Sequence, residues 1–254
     1  MTDSADRIHA LTSWHEDWTG LRVAVLGLGV TGFAAADTLA ELGARVLVVA
    51  RSAAGDYPAI LGVIGVELSL GEDEETVRRL ESFEPELIVV SPGYSPVNPL
   101  VRWAQERDLP LWGDIELAWR LRDKVGEPAE WIAVTGTNGK TTTVQLTTAM
   151  LRTAGYRAVA CGNIGTPVLD AIRDPGGFDA LVVELSSYQL HYLGAIQPYS
   201  SVCLNIAEDH LDWHGGFDEY RAAKAKVYEG TKIACVYNLA DPVTEELVLS
   251  LIHI

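Results

Sequence analysis

The 254-residue chain lacks three features that would each place it in a special class of protein. No apolar run approaches the roughly 18 residues that a membrane-spanning helix needs. The three cysteines (Cys161, Cys203 and Cys235) are odd in number and widely spaced, which fits neither a disulfide framework nor a metal site. The N-terminal Met-Thr-Asp-Ser-Ala-Asp is acidic and polar, unlike a signal peptide. We therefore expect a cytoplasmic protein with no membrane partner.

Basic residues are also scarce, because 19 Lys and Arg face 35 Asp and Glu, which gives a net charge of −16. This balance argues against sequence-independent nucleic-acid binding, which needs basic surface to neutralise phosphates. It does not exclude a single nucleotide, which local positive potential from a lysine, a helix N-terminus or a metal can hold. The 48% hydrophobic content predicts globular cores, and the length allows about two domains.

A glycine-rich stretch in the middle of the chain carries the strongest signal. Trp131 to Val134 read as a short buried strand, and Thr142 to Leu151 show a helical pattern. A strand, a Gly-rich turn, Lys-Thr and a helix form a phosphate-cradling loop, although Val134 stands where the usual first glycine would be. We expect ATP here, with Mg²⁺ on the Thr141 hydroxyl. The nucleotide-binding residues are expected to be Gly136, Thr137, Asn138, Gly139, Lys140, Thr141 and Thr142.

A second glycine pattern opens the chain. An apolar strand from Leu21 runs into Gly27-x-Gly29-x-x-Gly32, a helix from Phe33 to Leu42 follows, and Arg45 to Ala50 form the next strand. This is a Rossmann-type start, where the turn lets a pyrophosphate approach the backbone. The second strand ends in Ala-Arg-Ser without the acid that binds a ribose 2′-OH, which disfavours NAD. NADP, through Arg51, and a UDP-sugar both remain open.

The rest of the chain completes an α/β pattern. Glu86 to Val90 read as a buried strand that ends at the Ser91-Pro92-Gly93 loop, at the sheet edge where such folds bind ligands. A polar stretch with Gly and Pro at residues 124–130 predicts the domain boundary. We expect a Rossmann-like parallel-sheet domain over residues 1–126 and a P-loop-type ATPase α/β domain over residues 127–254.

Two strand ends beside the phosphate loop offer candidate metal ligands. The predicted strand 178–184 closes on Glu184, and the predicted strand 201–206 runs into a loop that contains His210. An acid at the end of a neighbouring strand often holds Mg²⁺ in phosphate-loop enzymes, whereas histidine is an unusual ligand for this hard cation. Each residue could instead be an ordinary surface side chain.

A lysine on the predicted helix 218–229 shares the apolar face. Tyr220, Lys224 and Val227 fall at i, i+4 and i+7, whereas Lys226 is turned to the opposite side. Lys224 could be a snorkelling side chain. It could instead lie near the metal and substrate, where burial would lower its pKa.

Seven motifs in order resemble those of the Mur ligases, and most closely those of the D-glutamate-adding members. They are Gly27 to Gly32, Ser91 to Gly93, Gly136 to Thr142, Gly162-Asn-Ile-Gly165, Glu184-Leu-Ser-Ser-Tyr-Gln189, Glu208-Asp-His210 and Tyr220-Arg-Ala-Ala-Lys224. The resemblance covers about residues 20–248. It implies an ATP-dependent amide ligation in peptidoglycan synthesis, in which UDP-N-acetylmuramoyl-L-alanine is phosphorylated and D-glutamate attacks the acyl phosphate.

The resemblance also implies roles for particular residues. The catalytic residues would be Lys140, Lys224 and His210. The substrate-binding residues would be Val30, Thr31, Ser91, Pro92, Gly93, Asn163, Ser187 and Gln189. The metal ligands would be Thr141, Glu184, His210 and, if carbamylated, Lys224. The chain departs from the common family pattern at Ala50, where an acid often stands, so contacts from Arg51 and Ser52 to uracil are left open.

Family members continue through the central domain and add a C-terminal ligase domain, which does not follow here. The apolar ending Leu249-Ser-Leu-Ile-His-Ile254 looks like a truncation. We therefore expect a monomer whose central domain is incomplete and which does not complete the ligation by itself. The alternatives are a non-catalytic nucleotide- or UDP-sugar-binding module, a sibling Mur ligase with another amino acid, and a nicotinamide-dependent oxidoreductase.

Overall fold

The chain folds into two compact units, residues 1–124 and residues 125–254. The computed structural model describes residues 7–53 and 55–252, with side chains to residue 250. The acidic segment 1–6 and the last two residues of the apolar terminus lie outside the described residues. The division falls two residues before the boundary that the sequence predicted. Each unit contains one five-stranded parallel sheet, so the expected α/β architecture is confirmed.

The sheet of the first unit has the strand order β3-β2-β1-β4-β5. Its strands are β1 (Arg22–Leu26), β2 (Arg45–Ala50), β3 (Glu67–Leu70), β4 (Leu87–Val90) and β5 (Leu111–Gly113). Helical residues 7–10 precede β1, and the further helices of this unit are α1 (Val30–Glu41), α2 (Tyr57–Val63), α3 (Asp73–Phe83), α4 (Pro99–Gln105) and α5 (Asp114–Arg120). Central strands β1 and β4 are almost wholly apolar because helices cover both faces of a parallel sheet.

Residues 57–83 were not assigned to any element from the sequence. They form α2, the edge strand β3 and α3. The four residues of β3, Glu-Leu-Ser-Leu, are half-buried or exposed, so they lack the continuous apolar run that marked the central strands. Pairing with β2 in register, Val48 opposite Leu68, makes this segment a strand.

The sheet of the second unit has the order β10-β9-β6-β8-β7. Its strands are β6 (Glu130–Thr135), β7 (Ala158–Gly162), β8 (Ala180–Glu184), β9 (Ser200–Cys203) and β10 (Ala234–Tyr237). Its helices are α6 (Lys140–Thr153), α7 (Val168–Ile172), α8 (Ser187–His191), α9 (Leu211–His214), α10 (Phe217–Ala225) and α11 (Pro242–Ile252), with a 3-10 turn at Lys226–Tyr228. Among the described residues, no helix is long and apolar enough to cross a membrane.

Strand β6 lies at the centre of this sheet, between β8 and β9, as the sequence predicted. Val134, Val144 and Val182 form the core between β6, α6 and β8. Strand β9 ends at Cys203, three residues earlier than expected, so His210 lies seven residues beyond the strand end. Cys161 and Cys203 are buried, whereas Cys235 on the edge strand β10 is only partly buried.

The glycine turn of the first unit yields a stability prediction. A Cβ atom on Gly32 would lie 2.1 Å from the Gly27 carbonyl oxygen, whereas one on Gly29 would meet nothing within 4 Å. Overpacking of this kind costs about 1–3 kcal/mol. We expect Gly32→Ala to lower the free energy of unfolding by at least about 2 kcal/mol, and the matched Gly29→Ala by less than about 1 kcal/mol. Urea denaturation of both variants measures this, and equal losses would contradict the tight turn.

Candidate functional site

The loop between β6 and α6 has the shape of an anion cradle. Gly136 and Gly139 adopt φ values of 146° and 85°, in the region that favours glycine, and α6 begins at Lys140. The first amides of a helix have no partner within the helix and attract phosphate oxygens. The Lys140 ammonium donates to the carbonyl oxygens of Gly136 at 2.9 Å and Thr137 at 3.0 Å, so it lies over the loop.

Glu184 joins this loop to the turn after β7. Its Oε2 accepts a hydrogen bond from the Thr141 hydroxyl at 2.9 Å, and its Oε1 accepts one from Asn163 Nδ2 at 2.9 Å. Glu184 is only 2% exposed, and these two hydrogen bonds give each of its buried carboxylate oxygens a polar partner. Three residues predicted from separate motifs thus meet at the carboxyl edge of the sheet.

A glycine makes that meeting possible. Gly162 has a φ of 101°, and a Cβ there would lie 2.3 Å from the Glu184 carbonyl oxygen. The Asn163 amide donates to the same carbonyl oxygen at 2.9 Å. Asn163 is therefore held to Glu184 through both its main chain and its side chain.

Lys224 is buried beneath the phosphate loop, with 2% exposure. Its ammonium donates to Gly136 O at 3.0 Å and to the Thr135 hydroxyl at 3.3 Å, and it lies 4.9 Å from the centre of the Tyr220 ring. Burial, and then repulsion from Lys140, lower the pKa of Lys224 to about 8. Tyr220 and Val227 are buried beside it, which confirms the shared face. Lys226 instead donates to the carbonyls of His191 and Leu193.

His210 is not brought into contact with Glu184 or Lys224 in the part of the chain that the structure describes. It is an exposed residue with a φ of 52° at the start of α9, 3.4 Å from an Asp209 oxygen and beside the Tyr188 ring. Over residues 7–53 and 55–252, no three His, Cys, Asp or Glu side chains form a metal-binding group. Among the described residues, the fold brings together two of the predicted metal ligands, the Thr141 hydroxyl and the Glu184 carboxylate.

Ser187 and Gln189 lie at the start of α8, and both are buried. The Gln189 side chain accepts hydrogen bonds from the Ser186 amide and hydroxyl, while Ser186 Oγ accepts from the Gln189 amide. This reciprocal capping box satisfies amides at the helix start. The Ser-x-x-Gln spacing is the sequence signature of that structural role.

Two residues make contacts with the loop that the sequence did not predict, although Tyr220 was already placed on the apolar face of its helix. The Tyr220 hydroxyl forms a 2.8 Å hydrogen bond with the Thr137 hydroxyl, and Asn205 bonds to Asn138 through both amide atoms. The available signal for Asn205 was its place shortly after a strand that borders β6, two residues beyond the end of β9. The prediction placed residue 205 inside the strand 201–206, so it was not recognised as a loop residue beyond the strand end.

The first unit holds its substrate candidates around the glycine turn. Ser91 Oγ is buried and has no hydrogen-bond partner among the described residues, and it lies within 3.0 Å of where Cβ atoms on Gly27 and Gly32 would lie. The Ser91 main chain extends β4 against β1 by donating to Leu26 O at 3.0 Å. Val30 is exposed and Thr31 half-buried at the start of α1, while Pro92 is half-buried and Gly93 exposed.

The end of β2 carries a cation that is already paired. Arg51 donates to Asp73 at 3.0 Å, and this contact raises the pKa of the guanidinium. An arginine held by a carboxylate is less suited to a ribose 2′-phosphate than a free one. This observation weighs against NADP.

Comparison with known proteins gives consistent relatives. The pattern of the Mur ligase middle domain matches residues 134–252. UDP-N-acetylmuramoylalanine–D-glutamate ligase of Leifsonia xyli is 61% identical over 98% of this chain and 50% of its own length. Enzymes of the same name from Tropheryma whipplei (strain Twist) and Streptomyces coelicolor are 51% and 48% identical over 95% and 91% of this chain. The chain spans about half the length of these relatives.

Solved structures share the fold. UDP-N-acetylmuramate:L-alanyl-γ-D-glutamyl-meso-diaminopimelate ligase from Neisseria meningitides matches 91% of this chain and 75% of its own, with a TM-score of 0.60 at 17% identity. UDP-N-acetylmuramate–alanine ligase from Thermotoga maritima matches 89% of this chain and 51% of its own, with a TM-score of 0.52 at 22% identity. The order of the motifs, the match to the Mur ligase middle domain and the identity to curated relatives show together that this chain belongs to the Mur ligase family.

Proposed function

We propose that this chain belongs to an enzyme that joins D-glutamate to UDP-N-acetylmuramoyl-L-alanine at the expense of ATP, in peptidoglycan synthesis. The observation that carries the proposal is the contact of Thr141 with Glu184 beside the Lys140 loop. The names of relatives at up to 61% identity support the choice of substrates. The cytoplasmic location, the monomeric state and the absence of nucleic-acid partners stay predictions.

ATP would bind the loop from Gly136 to Thr142. The helix amides after Gly139 would hold the phosphates, and Lys140 would exchange its bonds to two loop carbonyls for a phosphate oxygen. This exchange is favourable because a phosphate oxygen carries a negative charge that attracts the ammonium, whereas a carbonyl offers only a dipole.

The oxygen pair of Thr141 and Glu184 fits Mg²⁺, which prefers hydroxyl and carboxylate oxygens and phosphate ligands. When bound, the ion would offset the negative charge of the transferring phosphoryl group. Asn163 would keep Glu184 oriented through Oε1, and His210 would complete the set only after moving from its exposed position.

Lys224 would act as a carbamate. Carbamylation joins CO₂ to a neutral amine with loss of a proton, and a pKa near 8 leaves about a tenth of the amine neutral at pH 7. The product is an anion, which would relieve the repulsion between Lys224 and Lys140. Burial and repulsion therefore favour the modification at this lysine.

The first unit would hold the UDP part of the substrate. The Gly27–Gly32 turn with Val30 and Thr31 would receive the diphosphate, and the unpartnered Ser91 hydroxyl in the Ser91-Pro92-Gly93 loop offers it a donor. In the second unit Asn163, Ser187 and Gln189 would serve the sugar-peptide part. Ser187 and Gln189 would act from buried positions, chiefly by shaping the start of α8.

The reaction has two steps. A carboxylate oxygen of the L-alanyl group attacks the γ-phosphorus of ATP, which forms the acyl phosphate and releases ADP. The D-glutamate amine then attacks the acyl carbon, loses a proton and expels phosphate, which forms the amide. Lys140 would balance charge on the phosphoryl oxygens in the first step.

The second candidate is a non-catalytic module that binds ATP or a UDP-sugar. A sibling ligase for another amino acid is a variant of the first proposal. The expectation that these 254 residues alone do not complete the ligation stays a prediction.

One experiment separates these functions. The chain is mixed with Mg²⁺, ATP, UDP-N-acetylmuramoyl-L-alanine and labelled D-glutamate, and ADP, labelled amide and ligand binding are measured. Amide formation would establish ligation and overturn the expected inactivity. Binding of both nucleotides without amide would support the non-catalytic module. A chain that binds neither nucleotide would overturn the proposal.

Removal of the loop lysine should weaken ATP binding. Lys140→Met loses a charged hydrogen bond of about 1.5–3 kcal/mol, so we expect the Kd for Mg-ATP to rise at least about tenfold by calorimetry. Lys232→Met removes an exposed lysine that pairs with Glu130 in the same unit and should leave the Kd unchanged. Equal effects of the two substitutions would mean that the loop does not bind the phosphates.

Carbamylation should depend on Lys224 and on pH. With ¹³C-bicarbonate, we expect a carbamate NMR signal that grows between pH 7 and 8.5, because the neutral amine fraction rises through a pKa near 8. The signal should vanish in Lys224→Met and persist in Lys226→Met, whose lysine is engaged by two carbonyls. A signal that survives Lys224→Met would place the modification elsewhere.

A further inference from the structure

The phosphate loop rests against the segment that follows β9, residues 204–207. A Cβ on Gly136 would lie 3.0 Å from Leu204 Cβ and 3.2 Å from Leu204 N, so the two backbones are in direct contact. The Thr137 amide donates to Asn205 O at 3.0 Å. The Thr137 hydroxyl accepts from the Ala207 amide at 2.9 Å. This segment therefore forms a wall for the loop.

The Asn205 side chain forms two hydrogen bonds with the main chain of one loop residue. Its Oδ1 accepts from the Asn138 amide at 2.8 Å, and its Nδ2 donates to the Asn138 carbonyl at 3.0 Å. Together with the bond from Thr137, one residue makes three hydrogen bonds to two consecutive loop residues. A side-chain amide suits this role because it carries a donor and an acceptor side by side.

These bonds decide which amides remain for a ligand. The N–H groups of Thr137 and Asn138 are directed at Asn205, so the phosphate-binding donors are those at the start of α6. The Thr137 carbonyl that receives Lys140 belongs to the same peptide unit as the Asn138 amide. Release of the Asn138 amide would therefore also release the carbonyl that positions the Lys140 ammonium.

We propose that Asn205 is a positioning residue for the nucleotide, which fixes the Thr137–Asn138 peptide so that Lys140 and the first amides of α6 face the triphosphate. The inference rests on the proposed ATP site and deepens it. Its energetic basis is preorganisation, since a loop that is already ordered loses less freedom when the ligand binds.

Asn238 provides a matched control, because it bonds to the same segment. Asn238 Nδ2 donates to Leu204 O at 3.1 Å, and its Oδ1 accepts from the Ala240 amide at 3.0 Å. Asn238 thus tethers residues 204–205 without a hydrogen bond to the phosphate loop. Asn238→Ala removes the same type of side chain as Asn205→Ala, but from a residue that bonds to the segment and not to the phosphate loop.

The test compares the unmodified chain with Asn205→Ala, Asn205→Asp and Asn238→Ala. Calorimetry gives the Kd for Mg-ATP, and hydrogen exchange without nucleotide reports on the amides of Thr137 and Asn138. For Asn205→Ala we expect about tenfold weaker ATP binding and faster exchange at the Asn138 amide, with UDP-sugar binding unchanged. The Thr137 amide donates to the main-chain carbonyl of residue 205, so its protection should persist. Asn205→Asp keeps the acceptor, so Asn138 should stay protected while the added charge weakens ATP binding. Asn238→Ala should resemble the unmodified chain.

Asn205→Ala with ATP affinity within twofold of the unmodified chain would overturn the inference, and so would equal effects of Asn238→Ala and Asn205→Ala. If Asn205→Ala does not fold, Asn205→Ser, which keeps a single hydroxyl, carries the same comparison. An unmodified chain that fails to bind ATP would overturn the proposed function. In that case, hydrogen exchange at the Asn138 amide that is slow in the unmodified chain and fast in Asn205→Ala would still show that Asn205 holds the loop.

Discussion

The carbonyl oxygen of Gly136 accepts hydrogen bonds from two ammonium groups, Lys140 at 2.9 Å and Lys224 at 3.0 Å. Over the described residues, neither lysine forms an ion pair with a carboxylate. Two cations that share one acceptor repel each other, and this repulsion adds to burial in lowering the pKa of Lys224. Two neighbouring cations without an anionic partner cost free energy, and a bound anion would reduce that cost. The fold around β6 therefore prepares a position for negative charge, whether from phosphates or from a modified lysine.

Local sequence patterns predicted the central strands and the phosphate loop because those elements follow from consecutive residues. Apolar runs identified β1, β2, β4 and β6, and the Gly-Lys-Thr order identified the start of α6. The edge strand β3 was missed because pairing with β2, rather than its own composition, makes it a strand. The end of β9 was misplaced for a related reason. Its pairing with β6 stops at Thr135 opposite Cys203, where β6 itself turns into the loop.

The candidate site was predictable to the same extent. Thr141, Asn163 and Glu184 were singled out from three motifs, and the parallel sheet brings them together because all three follow neighbouring strands. His210 was placed beside them on the assumption that β9 continued to Ile206, and the shorter strand leaves it exposed. The loop contacts of Asn205 and Tyr220 were not predicted, since they join these residues to Asn138 and Thr137 across more than 60 positions of sequence.

Both units put a glycine turn after a central parallel strand, yet the chemistry of the two turns differs. The turn after β1 offers backbone amides and the Ser91 hydroxyl, and the nearby Arg51 is neutralised by Asp73. Among the described residues, this turn therefore brings no free charge to a ligand, which fits the diphosphate that we propose for it. The turn after β6 adds Lys140, the Thr141 hydroxyl and the Glu184 carboxylate, which can respond to charge that develops during transfer. The two turns thus differ in a few side chains at the strand ends, and this difference is why we propose ligand binding for the first unit and phosphoryl transfer for the second.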